Sequence, residues 1–174
     1  MRHCIHIYCG DGKGKTTAAA GLAARMAGHG KQVLFVQFLK GGETGEVNLF
    51  STLPQFRVLR CEKSFPFTFQ MNEAQKKELT GLHNRLMEQA SAQCRQEDYG
   101  LVVLDEVFPA LQEGLLSEGL LKKFLSDQAG RMEIVMTGRT PPQDYLEFAD
   151  YVTEMKLKKH PYDQGLEARK GVEF

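Results

Sequence analysis

The sequence lacks an excess of either charge. Lysine plus arginine number 22 and aspartate plus glutamate number 22, so the formal net charge is zero. A nucleic-acid-binding domain normally carries a basic excess, so no nucleic acid is expected as a partner and any positive field is local. No apolar run approaches the roughly 20 residues that span a bilayer, and no signal peptide precedes the first strand pattern. The expectation is a cytoplasmic protein with no membrane contact. Cys4, Cys9, Cys61 and Cys94 form no C-x-x-C pair and no Cys/His cluster with zinc spacing. They read as reduced, mostly buried thiols. Internal repeats, low-complexity tracts and linkers are missing as well. With 174 residues, the chain is expected to form a single domain over 1–174, long enough to bury about 70% of its unfolded surface without staples.

What is present is a repeated switch of hydrophobic period. "HCIHIYC" reads as a strand and "TTAAAGLAARMAGHG" as an Ala-rich helix closing on Gly28 and Gly30. "KQVLFVQFLKGG" contains a second strand and "FRVLRC" a shorter third. A long helix is predicted from about Asn72, where Asn72 and Gln75 can form a capping box, with Leu79, Leu82, Leu86 and Ala90 along one face. "GLVVLDE" reads as a wholly apolar strand ending in acid and "MEIVMTG" as another buried strand, on either side of the amphipathic helix "SEGLLKKFLSDQA". Thr140, Pro141 and Gln143 mark a helix start with proline at its first position, and "YVTEMKLKKH" reads as a closing strand. Strands that alternate with helices and lack polar alternation predict a three-layer α/β fold. Its sheet should be mostly parallel, with helices on both faces.

Chemistry concentrates in "YCGDGKGKTT", Tyr8 to Thr17. A phosphate-binding loop reads G-x-x-x-x-G-K-[ST]; Gly14-Lys15-Thr16 supplies its end, but Cys9 stands where the first glycine belongs. In such a loop backbone N–H groups wrap the anion, the lysine adds charge and the threonine hydroxyl reaches Mg²⁺. Downstream, "LVVLDE" places Asp105 at the carboxyl end of a strand, where open α/β sheets bind ligands and where nucleotide enzymes hold Mg²⁺. Loop and acid together predict a site for Mg·nucleoside triphosphate. Glu106 is the candidate base if water attacks phosphorus. None of the five histidines has a catalytic pattern around it, and each reads as surface or satisfied core. Lys40 and Arg139 end predicted strands near the site and suit either phosphate contact or solvent.

The run Gly10-Asp11-Gly12-Lys13-Gly14-Lys15-Thr16-Thr17 resembles the variant loop G-[ND]-G-K-G-K-T-T of the ATP:corrinoid adenosyltransferases. The similarity continues through "GHGKQVLFVQFLKG", "VVLDE", "GLL", "MTGRTPP", "ADYVTEM" and "KHPYDQGLEARKGVEF", nearly the whole chain. That family also lacks glycine at the position of Cys9.

The resemblance implies a phosphate-loop fold, commonly homodimeric. The implied reaction transfers the 5′-deoxyadenosyl group of ATP to Co(I) of reduced cobalamin or cobyrinic acid diamide, and expels tripolyphosphate. ATP would lie reversed in the loop, an altered phosphate register that an altered glycine pattern fits. Residues 10 to 17 would bind ATP, Lys13 and Lys15 would neutralise the leaving group, and Thr16 and Asp105 would hold Mg²⁺. Co(I) has no proton to lose, so Glu106 need not act as a base. A family pair G-F-x-W, which strips the lower ligand from cobalt so that a flavoprotein-type reductant can reach Co(II), corresponds to Phe67 and Phe69 in "SFPFTFQ". Phe69 replaces the tryptophan, and the chain contains none. An N-terminal segment that covers the site in some members is expected to be missing. Two other readings stay open: an ATP-hydrolysing or phosphoryl-transferring enzyme with Glu106 as base, and a non-catalytic ATP-sensing module.

Overall fold

The computed structural model describes residues 2–42, 44–161 and 165–172. Six strands form one sheet: β1 (Ile5–Cys9), β2 (Gln32–Gln37), β3 (Phe56–Arg60), β4 (Tyr99–Asp105), β5 (Glu133–Thr137) and β6 (Tyr151–Glu154). Their order is β3-β2-β4-β5-β1-β6 and every pairing is parallel. The sequence suggests a mostly parallel sheet; among the described residues it is wholly so.

The reason lies in the central strands. Val33 and Phe35 of β2 face Ala19 and Ala23 of helix α1 (Lys15–Gly28), while Leu34 and Val36 face the opposite layer. A strand buried on both sides cannot alternate apolar with polar. The alanines of α1 let that helix lie close to the sheet, in the layer that also includes Phe50 of α2 (Gly45–Phe50). The other layer holds α3 (Glu73–Gln96), α4 (Val107–Gln112), α5 (Glu118–Gln128) and α6 (Gln143–Phe148). Full burial of each Leu, Val or Phe contributes about 1.5–3 kcal/mol, and cutting Phe35 to alanine should cost about 3–5. Helix α3 opens on the expected capping box: the Asn72 side chain accepts from the Gln75 amide, and the Gln75 side chain accepts from the Asn72 amide. Leu79, Leu86 and Ala90 are buried, and Leu82 packs beside them.

Two local expectations need correction. Helix α6 starts at Gln143 with Pro142 as its N-cap, because a residue that precedes proline is pushed out of the helical region. Pro141 therefore lies outside the helix. The last strand ends at Glu154, well short of His160. There the Met155 amide donates to the Cys9 carbonyl and the chain turns across the loop after β1. Helices α2 and α4, six residues each, are too short to show a helical period. Tyr162, Asp163, Gln164, Glu173 and Phe174 of the tail motif lie outside the described residues.

Candidate active site

The sheet order sets the site. Strand β5 lies between β1, which feeds the glycine loop, and β4, which ends in Asp105. Residues at the carboxyl ends of β1, β2, β4 and β5 therefore converge. Asp105 is fully buried, and four donors surround its carboxylate. Thr16 Oγ1 and Thr137 Oγ1 donate to Oδ1 at 2.9 and 2.8 Å, while Gln37 Nε2 and Lys40 Nζ donate to Oδ2 at 3.2 and 3.3 Å. A buried carboxylate is tolerable only when paired and hydrogen-bonded, and here both conditions hold. The Lys40 ammonium also donates to Thr16 Oγ1 at 3.2 Å.

A hydroxyl and a carboxylate within 2.9 Å of each other offer hard oxygens only. That donor set suits Mg²⁺, which takes one or two carboxylates and completes its shell with phosphates and water. The cation already lying on both groups, the Lys40 ammonium, shows that the spot favours positive charge. Among the described residues no cluster of three or more His, Cys, Asp or Glu forms an all-protein metal cage.

Residues Gly10 to Gly14 form the loop, and Lys15, Thr16 and Thr17 form the first turn of α1. The N-terminus of that helix is where amides converge on an anion. Gly10 and Gly14 sit at φ 95° and 113°, and Cys9 ends the extended strand β1, so only the first two require glycine. Gly12 has a different reason. Its amide donates to the Met155 carbonyl at 2.7 Å, and a Cβ there would meet that carbonyl oxygen at 2.7 Å. A Cβ on Gly10 would collide with the same group. The Gly10 amide donates to the Arg139 carbonyl at 2.8 Å, and the Leu157 amide donates to Asp11 Oδ1 at 3.0 Å, which holds the Asp11 carboxyl below its usual range. The segment 155–157 thus straps the loop, and close backbone approach accounts for the unusual glycines. Beside the strap lies a cleft of about 600 Å³ that includes Gly10, Asp11, Arg139, Thr140 and Lys156.

Lys15 Nζ donates to the carbonyls of Gly10 and Gly12, both at 2.8 Å. Burial lowers its pKa, opposed chiefly by Glu106. Glu106 follows β4 in the left-handed region at φ 58°, its amide donating to Thr137 Oγ1 at 2.8 Å. Burial and then the neighbouring Asp105 raise its pKa, while Lys40, Lys15 and Arg139 oppose the rise. Lys13 lies at the exposed loop tip, beside a cleft that also includes Lys158 and Arg169. Thr17 is exposed.

Phe67 and Phe69 flank and enter a single 3₁₀ turn, Thr68–Gln70. Their rings stack at 5.7 Å with an interplanar angle of 7°, yet the residues are 73% and 81% exposed. Two phenylalanines that pack the fold would be covered; this pair faces outward. The segment before them is tied to the site, since Gly41 lies against the backbone of Lys63 and Ser64 too closely to admit a Cβ.

Four contributors escape a reading of motifs: Gln37, Thr137, His83 and the 155–157 strap. Gln37 and Thr137 did leave a signal, each being a polar residue that ends a run of apolar ones, "VLFV" in β2 and "IVM" in β5. His83, predicted as surface or satisfied core, is fully buried core. Its Nδ1 faces the Leu115 carbonyl at 3.0 Å and its Nε2 receives the Leu39 amide at 3.2 Å. A carbonyl only accepts and an amide only donates, so the proton sits on Nδ1. Burial lowers the pKa to about 4 and keeps the ring neutral.

Comparison with known proteins agrees with this geometry. A curated corrinoid adenosyltransferase of Pseudomonas aeruginosa is 37% identical over 99% of this chain and 84% of its own length. That of Escherichia coli K12 is 33% identical over 99% of this chain and 86% of its own. Among solved structures, the flagellar accessory protein FlaH of Methanocaldococcus jannaschii superposes with a TM-score of 0.52 at 12% identity, covering 88% of this chain and 72% of that one, a likeness of fold alone. The family model of the ATP:corrinoid adenosyltransferases BtuR/CobO/CobP matches residues 1–174, and the chain belongs to that family.

Proposed function

We propose that this protein transfers the 5′-deoxyadenosyl group of ATP to the Co(I) centre of a reduced corrinoid, cobalamin or cobyrinic acid a,c-diamide, and releases tripolyphosphate. Family membership over the full chain makes it a corrinoid adenosyltransferase. The observation that carries the finer reading is a site that gathers Lys15 and Lys40 at the N-terminus of α1 and whose buried histidine is spent on backbone groups.

Co(I) attacks C5′ with a metal lone pair. The Co–C bond forms as the C5′–O bond breaks, and the electron pair leaves with the triphosphate. No proton moves at the nucleophile, so no base is required. The protein instead aligns C5′ and neutralises the departing charge. Lys15, Lys13 and the amides where the loop meets α1 serve that purpose, within a nucleotide site built from Gly10, Asp11, Gly12, Lys13, Gly14, Lys15, Thr16 and Thr17. Thr16 and Asp105 would hold Mg²⁺, which when bound adds positive charge against the phosphates. Lys40, now on the same oxygens, would be free to contact phosphate where Thr16 and Asp105 hold the ion.

The exposed stacked pair Phe67 and Phe69 is the corrinoid-facing surface. An apolar face there excludes the lower ligand and water from cobalt and eases reduction of Co(II) by a flavoprotein-type partner. A single domain over 1–174, working as a homodimer in the cytoplasm, completes the reading. All four cysteines are free thiols, and among the described residues no helix is long and apolar enough to cross a membrane.

The raised pKa of Glu106 is what favours a hydrolase as the second reading. Incubation with Mg·ATP and chemically reduced cobalamin separates the two. Adenosyl transfer changes the visible spectrum of the corrinoid and yields tripolyphosphate, whereas hydrolysis yields phosphate and leaves the spectrum alone. Phosphate without adenosylcorrinoid would overturn the proposal.

A further inference from the structure

The loop after β2 contains an anomaly that the nucleotide site alone does not explain. Leu39 sits at φ 62°, one of two non-glycine residues in the left-handed region among the described residues; the other is Glu106, inside the site. The Lys40 amide donates to the Phe38 carbonyl at 2.7 Å, which closes a three-residue turn around Leu39. Such a turn is strained for a branched side chain, and strain persists only where the surroundings over-determine it.

The surroundings here can be named. The Leu39 amide, turned away from the sheet, donates to His83 Nε2 at 3.2 Å. His83 is itself fixed by its Nδ1 proton on the Leu115 carbonyl, at 3.0 Å, and its ring packs edge-on against Phe38 at 5.3 Å. The Phe38 amide donates to the Asp105 carbonyl at 3.0 Å. On the far side the Arg60 guanidinium donates to the carbonyls of Lys40, at 3.2 Å, and Gly42. The turn is held at its apex and at its exit. What it presents is the Lys40 ammonium, on Thr16 Oγ1 and Asp105 Oδ2 and 4.0 Å from Glu106 Oε1.

We infer that His83 is a positioning residue for the nucleotide site: its Nε2 acceptor holds the strained turn at Leu39 and thereby places Lys40 against the phosphates of bound ATP. A hydrocarbon ring in its place fills the same space but leaves the Leu39 amide without a partner, and that turn then relaxes. A side-chain amide carries a donor and an acceptor on neighbouring atoms, so glutamine can serve both the Leu115 carbonyl and the Leu39 amide. The inference deepens the adenosyl-transfer reading and rests on its assignment of ATP to this loop.

The test compares His83→Phe, His83→Gln, Lys40→Ala and the double variant His83→Phe/Lys40→Ala. The readouts are affinity for Mg·ATP, melting temperature and hydrogen exchange at the Leu39 amide. His83→Phe should weaken ATP binding about tenfold, the loss of one anchored contact, and unprotect Leu39. His83→Gln should stay within about twofold of the parent. The double variant should bind no worse than Lys40→Ala, because the histidine acts only through the lysine. Additive losses in the double variant, or unchanged affinity in His83→Phe, would overturn the inference. Should the phenylalanine variant fail to fold, exchange in the parent protein still decides: a freely exchanging Leu39 amide refutes the His83 contact. Binding that follows this pattern in a protein that makes no adenosylcorrinoid would sink the adenosyl-transfer reading and leave the role of His83 standing.

Discussion

Asp105→Asn exchanges one oxygen of a four-donor carboxylate for an NH₂ group, and the structure says which partners object. The oxygen that remains satisfies the hydroxyls of Thr16 and Thr137, which both point at Oδ1. The new NH₂ then faces two donors, Gln37 Nε2 and Lys40 Nζ. Gln37 has a remedy: its Oε1 has no hydrogen-bond partner, and a flip of that amide turns the acceptor toward the new NH₂. Lys40 has none. Loss of its charge-assisted bond would cost about 1.5–3 kcal/mol if buried, and about 1–2 after allowance for its partial exposure to water. For a chain of this size that lowers the melting temperature by about 2–8 °C. The Mg²⁺ concentration that half-saturates adenosyl transfer should rise about 10–100-fold, the usual effect of losing a group that orients a metal's shell. A scanning-fluorimetry melt and a Mg²⁺ titration with pre-formed Co(I) corrinoid measure both. A lower melting temperature with an unchanged Mg²⁺ requirement would mean that Asp105 only ties strand ends together, and the metal assignment would be wrong.

Under the proposed transfer, Lys15→Ala would remove a partly buried counter-charge to the leaving triphosphate and should cost roughly 10²-fold or more in turnover; near-normal turnover at saturating ATP would reassign the lysine to holding the loop. Glu106→Gln should retain transfer with pre-formed Co(I), at a rate flat across the carboxylate range. The raised pKa of Glu106 means that its contribution to stability is present below its ordinary value of 4.5 and is lost as pH rises through the folded-state value. The glutamine variant should therefore melt higher than the parent near neutral pH, with the gain gone below pH 4.5; a gain that grows toward acid would contradict the sign. Phe69→Ala should transfer nearly normally when a strong chemical reductant supplies Co(I) and fail with a weak flavoprotein donor, whereas equal loss with both would refute a role in the reduction step. Gly12→Ala sets a Cβ against the Met155 backbone and should destabilise by about 1–3 kcal/mol and weaken ATP binding; a parent-like melt would show that the strap yields freely.

The parallel sheet was legible because burial on both faces writes itself as uninterrupted apolar runs, as in "VLFV" of β2 and "LVVL" of β4. The capping box of α3 was legible because it is local, three residues apart. The reason for the loop's glycines was not. The resemblance ties the glycine pattern to an altered phosphate register; the structure adds a packing reason, since Met155 passes over Gly10 and Gly12, a contact between positions far apart in sequence with no local trace. Lys40 was legible as a charge at a strand end, without the left-handed Leu39 or His83 that aim it. Phe67 and Phe69 were legible only through resemblance, since spacing alone does not tell an exposed ring pair from a buried one.

The strap over the glycine loop also bears on when, during synthesis, the protein becomes able to bind nucleotide. The loop leaves the ribosome long before the strap, since the carbonyl that receives the Gly12 amide and the amide that binds Asp11 belong to residues 155 and 157. A nascent chain that has emerged only through β5 contains the lysine, the threonine and the aspartate of the site but not the backbone that shapes the loop. Affinity for ATP is therefore expected to arrive late and abruptly, once β6 has docked. Nucleotide then stabilises finished molecules and leaves incomplete ones unaided.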